Sequence, residues 1–228
     1  MSKKITRKIK SNNNRDVEPL LPLNDKQKEY IEAIYRNPVV IATGVLGSSK
    51  TYIPSVIASD LLMSKQIDKV IIARPNSSVG KSIGYLPGTL EEKLEPWCEP
   101  ITSVMKQRMG EGNYEALVNN GKISMLALEH VRGRTFDDCF VIVDEAQNLE
   151  VDVAKALVTR QGVNCTMVIT GDIAQKDIKP YSGLQLLMEV SHKYNLPVAS
   201  IFFDSWLYCV RSAESRAWGE AFEKYDRE

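Results

Sequence analysis

Histidine is scarce in this 228-residue chain, and long apolar runs are absent from it. The two histidines, His130 and His192, leave little material for chemistry based on an imidazole, such as a Ser-His-Asp triad. No apolar run approaches the roughly 20 residues that cross a bilayer, and the basic N-terminus lacks the apolar stretch of a signal peptide. These absences predict a cytoplasmic protein without a membrane partner.

Cysteine is also sparse, and its spacing argues against a structural metal site. The four cysteines lie far apart in the sequence, so no two show the close spacing of a zinc knuckle. We therefore predict reduced thiols, mostly in the core. They are Cys98, Cys139, Cys165 and Cys209.

The formal net charge is zero, but the charge is unevenly distributed. Residues 1–15 carry six Lys or Arg and no acid, so the remaining chain carries −6. Such a basic segment often contacts nucleic acid, whereas the Asn-rich residues 11–14 favour a solvated, disordered terminus, and both interpretations stay open. We predict that residues 1–18 form a basic tail and that 19–228 form a single domain.

Short apolar runs alternate with stretches of helical pattern along the chain. Five runs are predicted to be buried strands, and 123–127 is a weaker candidate. The alternation predicts an α/β fold with a mainly parallel, five-stranded core sheet and helices on both faces. Ligands bind at the carboxyl ends of the strands in such sheets. The five runs are 39–43, 69–73, 139–143, 166–170 and 198–203.

A glycine-containing turn follows the first predicted strand and reads Gly44-Val45-Leu46-Gly47-Ser48-Ser49-Lys50-Thr51. A turn of this kind at a helix start presents backbone N–H groups to a phosphate. Lys50 is predicted to reach the terminal phosphates and the Thr51 hydroxyl to ligate Mg²⁺. Ser49 stands where the motif has glycine, which costs about 1–2 kcal/mol if φ is positive there. The alternative is a strand-to-helix turn with an accidental Lys-Thr pair.

Two further polar groups follow predicted strands. Asp144 is suited to hold Mg²⁺, and Glu145 to polarise an attacking water. The alternative for this pair is an acidic helix N-terminus. Gln175 closes the polar run 170–175 and is a candidate contact of the γ-phosphate or the water, although this run also suits a simple turn.

Together these motifs resemble the PhoH family of P-loop ATPases, especially its short phage-encoded members, from about Leu20 to Trp218. The resemblance implies a RecA-like fold, ATP hydrolysis with Mg²⁺, RNA or single-stranded DNA as a partner, and host cytoplasm for a phage-encoded protein. Beyond the P-loop it rests on Arg74-Pro75, Gly84-Tyr85-Leu86-Pro87-Gly88, Arg132-Gly133-Arg134, Asp144-Glu145-Ala146-Gln147-Asn148, Thr159-Arg160, Thr170-Gly171-Asp172 and Ser182-Gly183-Leu184.

The same resemblance implies individual roles. Asp144 is the Mg²⁺-linked acid, Glu145 the base and Gln175 the γ-phosphate sensor, while Gln27 reads adenine in the manner of a helicase Q motif. The implied nucleotide-binding set is Gln27, Gly44, Val45, Leu46, Gly47, Ser48, Ser49, Lys50, Thr51 and Tyr52.

The chain has room for one RecA-like unit, whereas helicase-like motors place ATP between two. We therefore predict that efficient hydrolysis requires a homo-oligomer, such as a hexameric ring, in which a neighbouring subunit supplies an arginine. Arg211 is the first candidate, although the run 208–210 lacks the acidic pair expected before it. Each candidate arginine could instead form a structural ion pair. For the whole protein, the alternative is a nucleotide-binding switch with little turnover. The other candidates are Arg132, Arg134 and Arg160.

Overall fold

The computed structural model describes residues 18–75, 90–128, 131–173, 181–226 and 228. The basic segment 1–15 lies outside these ranges, as do Gly84–Gly88 and Gln175. The strands are β1 (Val39–Gly44), β2 (Lys69–Arg74), β3 (Ile123–Ala127), β4 (Cys139–Val143), β5 (Thr166–Gly171) and β6 (Val198–Phe203). The α-helices are α1 (Asp25–Arg36), α2 (Tyr52–Met63), α3 (Leu90–Met109), α4 (Glu111–Asn119), α5 (Val151–Val158), α6 (Gly183–Lys193) and α7 (Ala213–Tyr225).

The strands form one parallel sheet in the order β3-β2-β4-β5-β1-β6. The predicted α/β class is confirmed, but the predicted five-stranded sheet is one strand short. The additional strand, β3, is the weaker candidate 123–127, and it lies at an edge and pairs only with β2. Its middle residues Ser124 and Met125 are half-buried, which explains its weaker apolar pattern.

Alternate residues of the strands feed two separate apolar cores. Val40 and Ala42 of β1 pack with side chains of α1, α2 and α3, whereas Val39 and Ile41 pack with those of α5 and α6. Because both faces are covered, the central strands are apolar throughout, as in parallel sheets generally. No helix among the described residues combines the length and apolar character needed to cross a bilayer.

The strand order brings the predicted motifs to one edge. β5 lies between β1, which leads into the glycine-containing turn, and β4, which precedes Asp144. Thr43 pairs with Gly171, and Val143 pairs with both Ile169 and Ala73. The carboxyl ends of β1, β5, β4 and β2 therefore lie side by side.

Candidate functional site

The turn after β1 requires glycine at two positions because other backbone and side chains approach it closely. A Cβ on Gly44 would lie 2.1 Å from the carbonyl oxygen of Phe203, at the end of β6. A Cβ on Gly47 would lie 2.8 Å from Cγ of Arg211. Both glycines have positive φ, and so does Ser49, at 69°. The expected strain at Ser49 is therefore present.

The Lys50 ammonium is enclosed by this turn. Its Nζ donates to the carbonyl oxygens of Gly44 and Val45, both at 2.6 Å, and to Oγ of Ser48 at 3.2 Å. Burial lowers the pKa of Lys50, and the nearby carboxylates of the site oppose that shift. Lys50 thus lies at the centre of the turn, where the motif requires a phosphate-binding cation.

One buried carboxylate joins three strand ends. Oδ1 of Asp144 accepts hydrogen bonds from Oγ1 of Thr51 at 2.9 Å and from Oγ1 of Thr170 at 2.6 Å. The sequence predicts Asp144 and Thr51 as metal ligands and marks Thr170 only as part of a polar run. Hydroxyl and carboxylate oxygens are hard ligands that suit Mg²⁺, which takes few protein ligands and completes its shell with phosphates and water. The residues therefore fit the implied ion.

Glu145 has the left-handed φ of 53° and is held by two side chains. Its Oε1 lies 3.3 Å from Nη2 of Arg74, and its Oε2 accepts from Nε2 of Gln147 at 2.5 Å. The Gln147 oxygen in turn accepts from the Asp172 backbone N–H at 3.0 Å. Arg74 and Gln147 belong to motifs recognised in the sequence, but the sequence analysis predicts no role for either residue. The available signal is a lone cation at the end of a buried strand.

Gln27 supports the turn from below. The side chain is 2% exposed, and its oxygen accepts from the Leu23 backbone N–H at 2.9 Å. Its Nε2 lies 3.3 Å from Oγ of Ser49. The hydroxyl of Tyr30 adds a bond to the Lys50 carbonyl oxygen. Contact between Gln27 and adenine would require this side chain to leave its present partners.

The predicted arginines lie in different surroundings. The Arg211 stem packs against Gly47 of its own chain, and the neighbouring Val210 N–H donates to the Gly47 carbonyl oxygen at 3.0 Å. The contact of Arg211 with a neighbouring subunit stays a prediction. Arg132 and Arg134 are exposed, whereas Nε of Arg160 is buried with no hydrogen-bond partner among the described residues.

A cavity of about 780 Å³ is lined in part by Tyr52, the residue that follows Thr51. Leu23 and Tyr52 contribute exposed apolar surface to it, 71% and 48% exposed. Its volume lies in the range of small-ligand sites. The cavity is lined by Glu18, Pro19, Leu20, Leu21, Leu23, Tyr52, Val56, Val104, Gln107, Arg108 and Gly110.

Comparison with known proteins agrees with the motifs and the sheet. The family model described as PhoH-like protein matches residues 19–223. The chain belongs to the PhoH-like protein family. It is 39% identical over 166 residues to the PhoH-like protein of Bacillus subtilis, and this alignment covers 72% of this chain and 52% of that protein. Protein PhoH of Escherichia coli is 36% identical over 166 residues, with 72% and 47% covered.

This PhoH-like chain thus spans about half the length of the curated relatives that it matches. Among solved structures it resembles the large terminase of a thermophilic bacteriophage, with a TM-score of 0.54 and 12% identity. That similarity covers 85% of this chain and 48% of the terminase. This similarity shows a shared fold. Together with the family match, it shows that this protein has an α/β P-loop NTPase fold.

Proposed function

We propose that this PhoH-like protein binds ATP with Mg²⁺ and hydrolyses it. The observation that carries the proposal is the single carboxylate of Asp144. It accepts from Thr51, at the end of the glycine-containing turn 44–51 (the phosphate loop), and from Thr170 on β5, the strand between β1 and β4. These hydrogen bonds fix a hydroxyl and a carboxylate oxygen next to an anion-binding turn. That pairing is the protein half of a Mg²⁺–phosphate site in P-loop enzymes.

The residues of this edge divide the work between them. Lys50 and the backbone N–H groups of the turn neutralise phosphate charge, and Thr51 and Asp144 hold Mg²⁺. Bound Mg²⁺ supplies charge stabilisation at the phosphate oxygens. Glu145 orients the attacking water and accepts its proton. Arg211 acts on the nucleotide of its own chain, because its stem lies on the turn.

The cavity beside Tyr52 is the proposed site of the nucleobase. The exposed ring of Tyr52 offers a flat surface to a purine, and Tyr52 directly follows the proposed metal ligand Thr51 in the sequence. Gln27 contacts both Leu23, which lines this cavity, and Ser49 of the phosphate-binding turn, so it connects the two parts of the proposed site. Gln175 completes the proposed site as the γ-phosphate sensor.

Two substitutions separate binding from turnover. Lys50→Ala should abolish nucleotide binding, because it removes the central cation. Glu145→Gln should keep binding and lower phosphate release by about 10²–10⁴-fold, the usual contribution of a general base. Affinity for ATP and Mg²⁺-dependent phosphate release are measured for both variants. Lys155→Ala, on the exposed face of α5, is the control. Wild-type turnover in Glu145→Gln would remove Glu145 from the mechanism.

The proposal extends to RNA or single-stranded DNA as a stimulating partner and to a cytoplasmic homo-oligomer, such as a hexameric ring. The basic residues 1–15 support the first, since lysine and arginine bind phosphates without sequence preference. With Arg211 assigned in cis, the arginine supplied by a neighbour is Arg132, Arg134 or Arg160. Phosphate release is therefore measured with and without RNA and across protein concentrations.

A second candidate is a nucleotide-binding switch with little turnover. The observation that favours it is the engagement of Glu145 by Arg74 and Gln147, which leaves the base turned to protein partners. Intact ATP binding with no phosphate release under any of these conditions would select the switch.

A further inference from the structure

Arg74 links the catalytic carboxylate to a distant helix. Its Nη1 donates to the carbonyl oxygen of Trp97 in α3 at 2.6 Å, while its Nη2 lies 3.3 Å from Oε1 of Glu145. Both side chains of the ion pair are partly shielded, with 21% exposure for Arg74 and 39% for Glu145. One guanidinium therefore connects α3 with the segment that follows β4.

The direction of this contact matters for the base. Glu145 directly follows Asp144 at the end of β4, with β2 on one side and β5 and the phosphate-loop strand β1 on the other. Arg74 ends β2, so it draws Oε1 of Glu145 away from the phosphate loop. Gln147 occupies the second carboxylate oxygen at 2.5 Å. A base must direct a free lone pair at its water. Each oxygen of Glu145 keeps a second lone pair, but the two protein donors set the direction in which the carboxylate points.

The backbone of Glu145 adds a reason for two orientations. A non-glycine residue in the left-handed region costs of order 1–3 kcal/mol and persists only when its surroundings hold it. The contacts with Arg74 and Gln147 are such surroundings. Loss of one contact therefore favours a change in the direction of the carboxylate.

We propose that Arg74 is a positioning residue that retracts Glu145 from the attacking water and so limits basal turnover. The inference rests on the proposed ATPase activity. Because Trp97 shares the guanidinium, the position of α3 against β2 sets the strength of the restraint. Movement of α3 is thereby coupled to the rate of hydrolysis rather than to nucleotide affinity.

The test uses the full chain and two substitutions of one residue. Arg74→Met removes the charge and keeps the apolar stem, whereas Arg74→Gln keeps a donor for the Trp97 carbonyl oxygen. Both should raise the basal kcat about two- to fivefold, the effect expected from a part-exposed ion pair, with KM for ATP within twofold of wild type. Arg74→Lys retains a cation and should remain near wild type.

Matched controls assign the effect to Glu145. Arg36→Met breaks an exposed arginine–glutamate pair on α1 and should leave kcat unchanged. The double variant Arg74→Met with Glu145→Gln should be no faster than Glu145→Gln alone. Melting temperatures identify any variant that fails to fold, and Arg74→Gln then decides.

A kcat at or below wild type in folded Arg74→Met and Arg74→Gln would overturn the restraint. An increase that persists in the double variant would overturn it too, because the acceleration would bypass the base. Failure of the proposed function has a different signature. In that case the wild-type protein releases no phosphate at all, and no variant restores release.

Discussion

Ser49 carries a conformation that its side chain disfavours. Its φ of 69° lies in the left-handed region, where a Cβ costs about 1–2 kcal/mol and the extra chain entropy of glycine offsets about 0.5–1 kcal/mol. Ser49→Gly should therefore raise the free energy of unfolding by about 0.5–1 kcal/mol and keep ATP binding. Ser49→Val should lower both, since a β-branched residue fits this region poorly. Denaturant unfolding and ATP titration measure the two effects.

Lys65 provides the comparison for Ser49. It follows α2 with φ at 56°, away from the phosphate loop, so Lys65→Gly relieves the same backbone conflict without touching the site. A similar stability gain is expected there with unchanged ATP affinity. A loss of stability in Ser49→Gly beside a gain in Lys65→Gly would show that the Ser49 side chain, through its contact with Gln27, outweighs the strain.

The residues of the proposed site were predictable to different degrees. Lys50, Thr51 and Asp144 follow apolar strands, and parallel strands place such residues at one edge, so their convergence could be expected. The contact between Arg74 and Glu145 could not, because local patterns do not reveal that β2 neighbours β4. The order of strands also decides that Arg211 meets its own turn, since β6 lies beside β1.

Helices α5 and α6 approach each other at a glycine, which supplies a physical reason for the Ser182-Gly183-Leu184 motif. A Cβ on Gly183 would lie 2.5 Å from Cβ of Ala154 and 2.8 Å from the Glu150 carbonyl oxygen. Gly183→Ala should therefore lower the free energy of unfolding by about 1–3 kcal/mol through overpacking. Thermal unfolding measures the change.

Gly112 in α4 is the matched control for this prediction. A Cβ there would meet no atom within 4 Å, so Gly112→Ala gains helix propensity without a clash. Its stability should be equal to or slightly above wild type. Equal behaviour of the two alanine variants would mean that α6 shifts away from α5 without cost.

Elements with a strong apolar pattern were predicted well. α1 begins after Asn24, whose residue type favours a helix N-cap, and the Asn24 side chain accepts from the Gln27 backbone N–H at 2.9 Å. α7 has no predicted counterpart. None of its residues is buried, and its aromatic side chains Trp218 and Phe222 are exposed. The helix therefore lacks the buried apolar face whose sequence pattern would have predicted it.

For the whole molecule, composition and alternation predicted the fold class, and the motifs predicted the family. The extent of the folded domain and the behaviour of residues 1–18 stay predictions. The candidate 123–127 proved to be the sixth strand, but the order of the strands could not be read from the chain. Edge strands carry weak signals, and the neighbours of a parallel strand are set by packing of distant segments.

The position of β1 between β5 and β6 has a consequence for how the protein reaches its native state. β1 ends at residue 44, but its two partners begin at residues 166 and 198. Pairings this remote close large loops and form slowly. We therefore expect β1, which is synthesised early, to gain its two neighbouring strands last. In pulsed hydrogen exchange during refolding, β1 amides should become protected together with those of β6 and after those of β2 and β4. Protection of β1 ahead of β6 would contradict this order.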